Sequence, residues 1–221
     1  MQSKNKQSAV IMNVGGVLAD SPSIHFKAWS ETFRSRGISF ADSDLRRVFR
    51  KDQSLLFATI LGPKADPDLV ASIVKEKFKL FVELAAKHVD PMPGAEKFIK
   101  SLHDSGFLLG IASGAPLAHL QLVLTQVKLK QYFPVIVSEM DIAARKGSPD
   151  VLSVVVSRLG VEPARCVMIE SDPDGIAAAK RLGMKCILVA ADGGGNAPEK
   201  ADIVVKSLEH LSVADIKSLL K

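Results

Sequence analysis

Polar residues able to do chemistry gather at four places, each beyond a short apolar run: Asn13–Gly16, Ser113–Ala115, Lys146 and Glu170–Asp174. They supply a carboxamide, a hydroxyl, an ammonium and the carboxylates of Glu170, Asp172 and Asp174. In open α/β sheets, ligands sit outside the carboxyl ends of the strands, near a switch in strand order, so these stretches are read first for function. Other reactive types are less informative. His88, His103, His119 and His210 are scattered and match no metal-ligand spacing. His25 and Trp29 lie one helical turn apart and read as a helix face rather than as catalytic groups. Cys166 and Cys186 are too few for a disulfide framework or a zinc site. Both fall in apolar runs, so they are expected to be reduced core thiols of a protein from a reducing, cytoplasmic compartment. Arg46, Arg47, Arg50 and Lys51 pair at i,i+4 spacing, which predicts a solvated helix face ahead of an anion-binding patch.

The elements that must position these residues follow from the apolar pattern. Ala9–Met12, Phe107–Ala112, Val135–Val137, Cys166–Ile169 and Cys186–Val189 are short and nearly continuous in apolar character, with Asp202–Val205 as a last candidate. That pattern suits strands buried on both faces of a parallel sheet. Between them, Gly94–Asp104, Pro149–Leu159 and Asp174–Leu182 carry helical stripes. Pro149 and Pro173 stand where a helix begins, and Gly106, Gly160 and Gly183 follow helical runs as C-terminal caps do. Alternating strand and helix argues for a doubly wound α/β core. One region breaks the alternation: Ile24–Ser35, Asp44–Arg50, Ser54–Ile60 and Leu69–His88 are all helical, with no strand between them. It is expected to form a small helical subdomain with its own core of Leu55, Leu56, Ile60, Ile73, Val74, Phe78 and Phe81. Ala191–Ala197, with its three consecutive glycines, reads as a flexible loop.

With 221 residues, 47% hydrophobic and 24% charged, the chain can bury one sizeable core plus a modest second unit. No apolar run is long enough to span a membrane. Met1–Gln7 is polar, lacks the apolar stretch of a signal peptide and reads as a short disordered tail. The net charge of +5 is spread out, and one Trp with one Tyr provides no stacking platform for single-stranded nucleic acid. Neither nucleic acid nor membrane is an expected partner.

The stretches at the strand ends, taken with their neighbours, carry a family resemblance. Gly16-Val17-Leu18-Ala19-Asp20-Ser21, His25-Phe26-Lys27-Ala28-Trp29, Pro91-Met92-Pro93-Gly94, Lys146-Gly147-Ser148-Pro149-Asp150 and Glu170–Gly175 leading into Leu182-Gly183-Met184 stand in order along the chain. In these the chain resembles the haloacid dehalogenase superfamily, and within it the β-phosphoglucomutase-like group of sugar-phosphate phosphatases and mutases. The resemblance implies a Rossmann-like, doubly wound parallel-sheet core (8–20 and 91–221) with a small all-helical cap (21–90) inserted after strand one.

It also implies a chemistry. In that family a carboxylate ending strand one attacks phosphorus, and an aspartate two residues on serves as acid and base. Carboxylates of strand one and of the fourth motif, with a backbone carbonyl, hold Mg²⁺, while a Ser or Thr and a Lys grip the phosphoryl group. Mapped residue by residue, Asn13 stands at the nucleophile's position and Gly15 at the acid/base's. Ser113 and Lys146 stand at the phosphate grips. Glu170 is kept, Ser171 replaces the usual aspartate, and Asp172 follows it. Asn13 also has a structural reading, its amide capping a turn at the strand end.

The implied function is therefore a β-phosphoglucomutase-type protein, catalytically silent or very weak, that retains a pocket for phosphate or a phosphorylated metabolite. The alternative is an active Mg²⁺-dependent phosphatase or phosphomutase, acting on a small sugar or nucleotide phosphate through a non-standard site. Mg²⁺ binding is expected to be weak or absent, with Glu170 and Asp172 as its remaining candidate ligands. A small phosphorylated metabolite or inorganic anion is the expected partner, and a protein partner is a further option. In the cap, Val48 stands near the substrate loop where the family has a glycine.

Overall fold

The computed structural model describes residues 7–49, 53–138, 151–190 and 201–221, and these form two compact units. One comprises residues 1–20 and 90–221, the other residues 21–89. All of the predicted tail Met1–Gln7 except Gln7, the basic pair Arg50 and Lys51, Lys146 with its motif through Asp150, and the glycine-rich loop lie outside the described residues.

The first unit is a six-stranded parallel sheet: β1 (Ala9–Met12), β2 (Leu108–Ser113), β3 (Val135–Ser138), β4 (Cys166–Glu170), β5 (Lys185–Val189) and β6 (Ile203–Val205). Its order is β3-β2-β1-β4-β5-β6, so the chain winds outward in one direction from β1 and in the other from β4. Every residue of β1 and β4 is buried, which accounts for apolar runs without alternation. The switch in direction falls between these two central strands, where neither crossover covers their carboxyl ends. This doubly wound architecture with a helical insertion after β1 is the one the sequence predicts.

The helices of this unit follow from stripes and stops. In α5 (Ala95–Asp104), Ala95, Phe98, Ile99 and Leu102 form the buried stripe. Two further helices were not assigned from sequence, α6 (Leu117–Gln126) and α9 (Val213–Leu219), the latter opened by a Ser212–Asp215 capping box. α7 (Val151–Leu159) lies on β2 and β3, and α8 (Pro173–Arg181) on β4 and β5. A glycine in mid-strand lets α7 come close: a Cβ on Gly110 would lie 2.7 Å from Val155 Cγ1. Cys166 and Cys186 are both buried, unbridged thiols, and burial pushes each up to about 11.

The second unit contains α1 (Ser21–Ser35), α2 (Asp42–Val48), α3 (Gln53–Leu61) and α4 (Pro67–His88). Its core gathers Trp29, Phe33, Leu45, Val48, Leu56, Phe57 and Ile73. Leu55, assigned to this core from sequence, is instead 49% exposed, and Phe57 takes the inward place. The reason is local: α3 reads QSLLFATIL, apolar around most of its circumference, so periodicity alone cannot choose its inner face. Arg47 pairs with Asp44 at 2.8 Å and the Arg46 guanidinium lies over the Phe26 ring at 4.1 Å, so the described part of the basic group has partners within its own unit. Among the described residues no helix is long and apolar enough to cross a membrane.

Candidate active site at the strand switch

The register of the three central strands brings the sequence-predicted residues together. Met12 pairs with Ile111 of β2 and with Ile169 of β4, so Asn13 emerges beside Glu170 on one flank, and Ser113 ends β2 on the other. With strands spaced by about 4.8 Å, Ser113 and Glu170 start roughly 10 Å apart across the end of β1. Lys146, the second predicted phosphate grip, lies outside the described residues.

Asn13 is built into the turn that follows β1. Its backbone N–H donates to the Ile169 carbonyl at 3.2 Å, extending the β1–β4 pairing by one residue. Its Oδ1 accepts from the Val14 N–H at 2.8 Å, and its Nδ2 donates to Glu170 Oε1 at 3.0 Å. The chain then curls so that Leu18 and Ala19 both donate to the Val14 carbonyl, at 2.9 and 3.0 Å. Gly16 makes the curl feasible with φ 76, a left-handed backbone that a side chain would resist.

Glu170 is the most constrained member of the site. Only 5% exposed, its Oε1 accepts from Asn13 Nδ2, from the Ser171 N–H at 2.6 Å and from the Asp172 N–H at 3.1 Å. Burial pushes its carboxyl up to about 7, against the opposing pull of those three hydrogen bonds. Ser171 donates its hydroxyl to the Gly15 carbonyl at 3.0 Å. Asp172 turns to the start of α8, where its carboxylate accepts the Asp174 N–H at 3.0 Å as an N-cap.

Ser113 is 8% exposed and its Oγ accepts from the Ala115 N–H at 3.4 Å. The loop it opens is tethered by Ser138, whose buried hydroxyl donates to the Ala115 carbonyl at 2.7 Å. Sequence reading passed over Ser138, although a lone hydroxyl closing the apolar run VIVS is the signal that marks it. Gly175 ends the Glu170–Gly175 stretch of the sequence, where nothing marks its role against Glu170. A Cβ there would stand 2.7 Å from Glu170 Cγ and 2.9 Å from Oε2, so only glycine lets the first turn of α8 close over the carboxylate. Gly175→Ala is expected to displace Glu170, break its bond to Asn13 and cost about 1–3 kcal/mol. Urea unfolding measures this, and an unchanged midpoint would contradict it.

Whether these groups suit a divalent cation can be tested on their donors. Mg²⁺ takes oxygen ligands in near-octahedral array, usually including one or two carboxylates. Here Asn13 turns an N–H toward Glu170, Gly15's carbonyl is bonded to a hydroxyl, and Asp172 caps a helix. Among the described residues no group of three or more His, Cys, Asp or Glu is placed to hold a metal. The arrangement does not offer the donor set that the cation takes.

Comparison with known proteins places this geometry in a family. A model described as haloacid dehalogenase-like hydrolase matches residues 10–189. Validoxylamine A 7'-phosphate phosphatase of Streptomyces hygroscopicus subsp. limoneus is 29% identical over 206 residues, covering 90% of this chain and 92% of that protein. Protein CbbY of Rhodobacter capsulatus is 28% identical, over 83% of this chain and 86% of its own length. Among solved structures, an aspartate-to-asparagine mutant of CbbY from Rhodobacter sphaeroides, in complex with xylulose-(1,5)bisphosphate, superposes with a TM-score of 0.81 at 25% identity, covering 95% of this chain and 99% of that one. The strand order, the switch-point cluster and the extent of these matches together make the chain a member of the haloacid dehalogenase-like hydrolase family.

Proposed function

We propose that this chain is a catalytically silent member of its family that keeps a site for a small phosphorylated metabolite or inorganic phosphate at the carboxyl ends of β1, β2 and β4. The observation carrying the reading is Asn13. Its amide nitrogen donates to Glu170 and its oxygen accepts from Val14, so the group at the nucleophile's position is neutral and engaged on both sides. Gly15, at the acid/base's position, has no side chain to move a proton. Loss of a general acid/base alone lowers rates by about 10²–10⁴. Loss of the nucleophile removes the covalent route, for a reaction whose enzymes supply accelerations of up to about 10²¹.

Ser113 and Lys146 serve as the grips for the anion in this reading, with the helical unit 21–89 as a cap. Support for a phosphorylated ligand comes from the relatives. One is named for the phosphate ester it cleaves, and the CbbY mutant holds a sugar bisphosphate with an asparagine in place of an aspartate.

The test is release of phosphate from a panel of sugar and nucleotide phosphates, with and without Mg²⁺, beside phosphate binding by calorimetry. The native chain is expected to release nothing above background while binding phosphate, and Ser113→Ala is expected to weaken that binding about tenfold. The second reading, a working Mg²⁺-dependent phosphatase or phosphomutase, is favoured by the phosphatase names of the relatives. Metal-dependent turnover that vanishes in Glu170→Gln would establish it and overturn the first.

A further inference from the structure

Resting on the silent-site reading, we propose that Asn13 and Ser171 form a proton-bearing brace that ties β1 to β4 as a bound cation would, so that this site is complete without metal. Each of the two strand ends presents an acceptor to a donor of the other: Glu170 Oε1 accepts from Asn13, and the Gly15 carbonyl accepts from Ser171. Part-buried oxygens of this kind need either a cation or hydrogen-bond donors. The chain supplies donors. Asn13 Nδ2 crosses from the end of β1 to Glu170 of β4 at 3.0 Å, and Ser171 Oγ crosses back from the end of β4 to the Gly15 carbonyl at 3.0 Å. The two bonds run in opposite directions between the same two strand ends, and together they close a ring.

Both substitutions contribute in the same sense. A carboxylate at position 13 has no N–H for Glu170 and would set two carboxyl groups at hydrogen-bond distance, which resist being ionised together. A carboxylate at 171 has no proton for Gly15. Each would leave an acceptor facing an acceptor, which a cation or an added proton would have to reconcile. The Glu170 side chain is held from its far side as well, by the Ser171 and Asp172 N–H groups and by the close approach of Gly175. It therefore cannot swing away to relieve such a clash.

Thermal melting of the full chain in excess EDTA and in millimolar Mg²⁺ tests the brace, with phosphate release followed in the same samples. The native chain is expected to melt at one temperature in both. Asn13→Asp is expected to melt roughly 5 °C or more lower in EDTA, and Asn13→Asp/Ser171→Asp lower still, with Mg²⁺ restoring most of the loss in the double variant. A native chain stabilised by Mg²⁺, or an Asn13→Asp variant melting like the native chain in EDTA, would overturn the brace. Silence toward phosphate esters is judged separately, because turnover by the native chain refutes the silent-site reading whatever the melting curves show.

Discussion

Replacing Lys77 by methionine is expected to abolish a rise in the stability of the helical unit between about pH 7 and 10.5, and to stabilise that unit most below pH 7. Lys77 is 4% exposed. Its Nζ lies 2.8 Å from His25 Nδ1 and 5.1, 4.9 and 5.3 Å from the ring centres of Trp29, Phe78 and Phe81. Rings and an imidazole compensate a buried charge only in part, and burial pulls the amine down from 10.5 to about 7.

The sign follows from linkage. Between those values the unfolded chain binds the proton and the folded chain does not, so raising the pH favours folding. Below the window both forms are protonated, the slope disappears and the burden of the buried ammonium is greatest. Above it both are neutral. The shift corresponds to a ceiling of about 5 kcal/mol. Trp29 is the only tryptophan and belongs to this unit's core, so its fluorescence during urea unfolding isolates the effect. A native profile flat across that range would refute the prediction.

Gly94→Ala is expected to destabilise the sheet unit severely. Gly94 is the N-cap of α5 with φ 81, a conformation that disfavours any L-residue by about 1–2 kcal/mol. The added Cβ would lie 2.5 Å from the Glu209 backbone nitrogen and 2.8 Å from the Leu208 carbonyl carbon. These are main-chain atoms of a 3₁₀ turn (Leu208–His210), which cannot step aside by changing rotamer. Strain and overlap together amount to about 3 kcal/mol or more. Calorimetric melting should record a drop of roughly 6 °C or more. A drop of a degree or less would mean that the turn at 208–210 yields freely.

The sequence carried the fold further than it carried the site. Buried parallel strands announce themselves as apolar runs, so AVIM and CVMI could be placed in one parallel sheet without knowing their order or register. Helix faces were legible where a polar side existed, as in α5, and illegible in α3, where Leu55 and Phe57 are equally apolar candidates for one inward place. At the site, the residue types and their unusual identities were visible: Asn13, Gly15 and Ser171 stand out against the family pattern. Their partnerships were not, because the Asn13–Glu170 bond joins residues 157 positions apart. Lys77 was likewise invisible, since one lysine on a long amphipathic helix reads as solvated until three rings close around it.

The two thiols have a practical use. Buried, unbridged and held well above neutral pH in their ionisation, Cys166 and Cys186 leave the folded chain without a reactive native sulfur among its described residues. Cysteines introduced at Val82 in α4 and Val204 in β6, both 42% exposed, would then be the only positions that maleimide dyes label. A donor and acceptor so placed put one fluorophore on each unit, and energy transfer between them would report any movement of the units as phosphate is added.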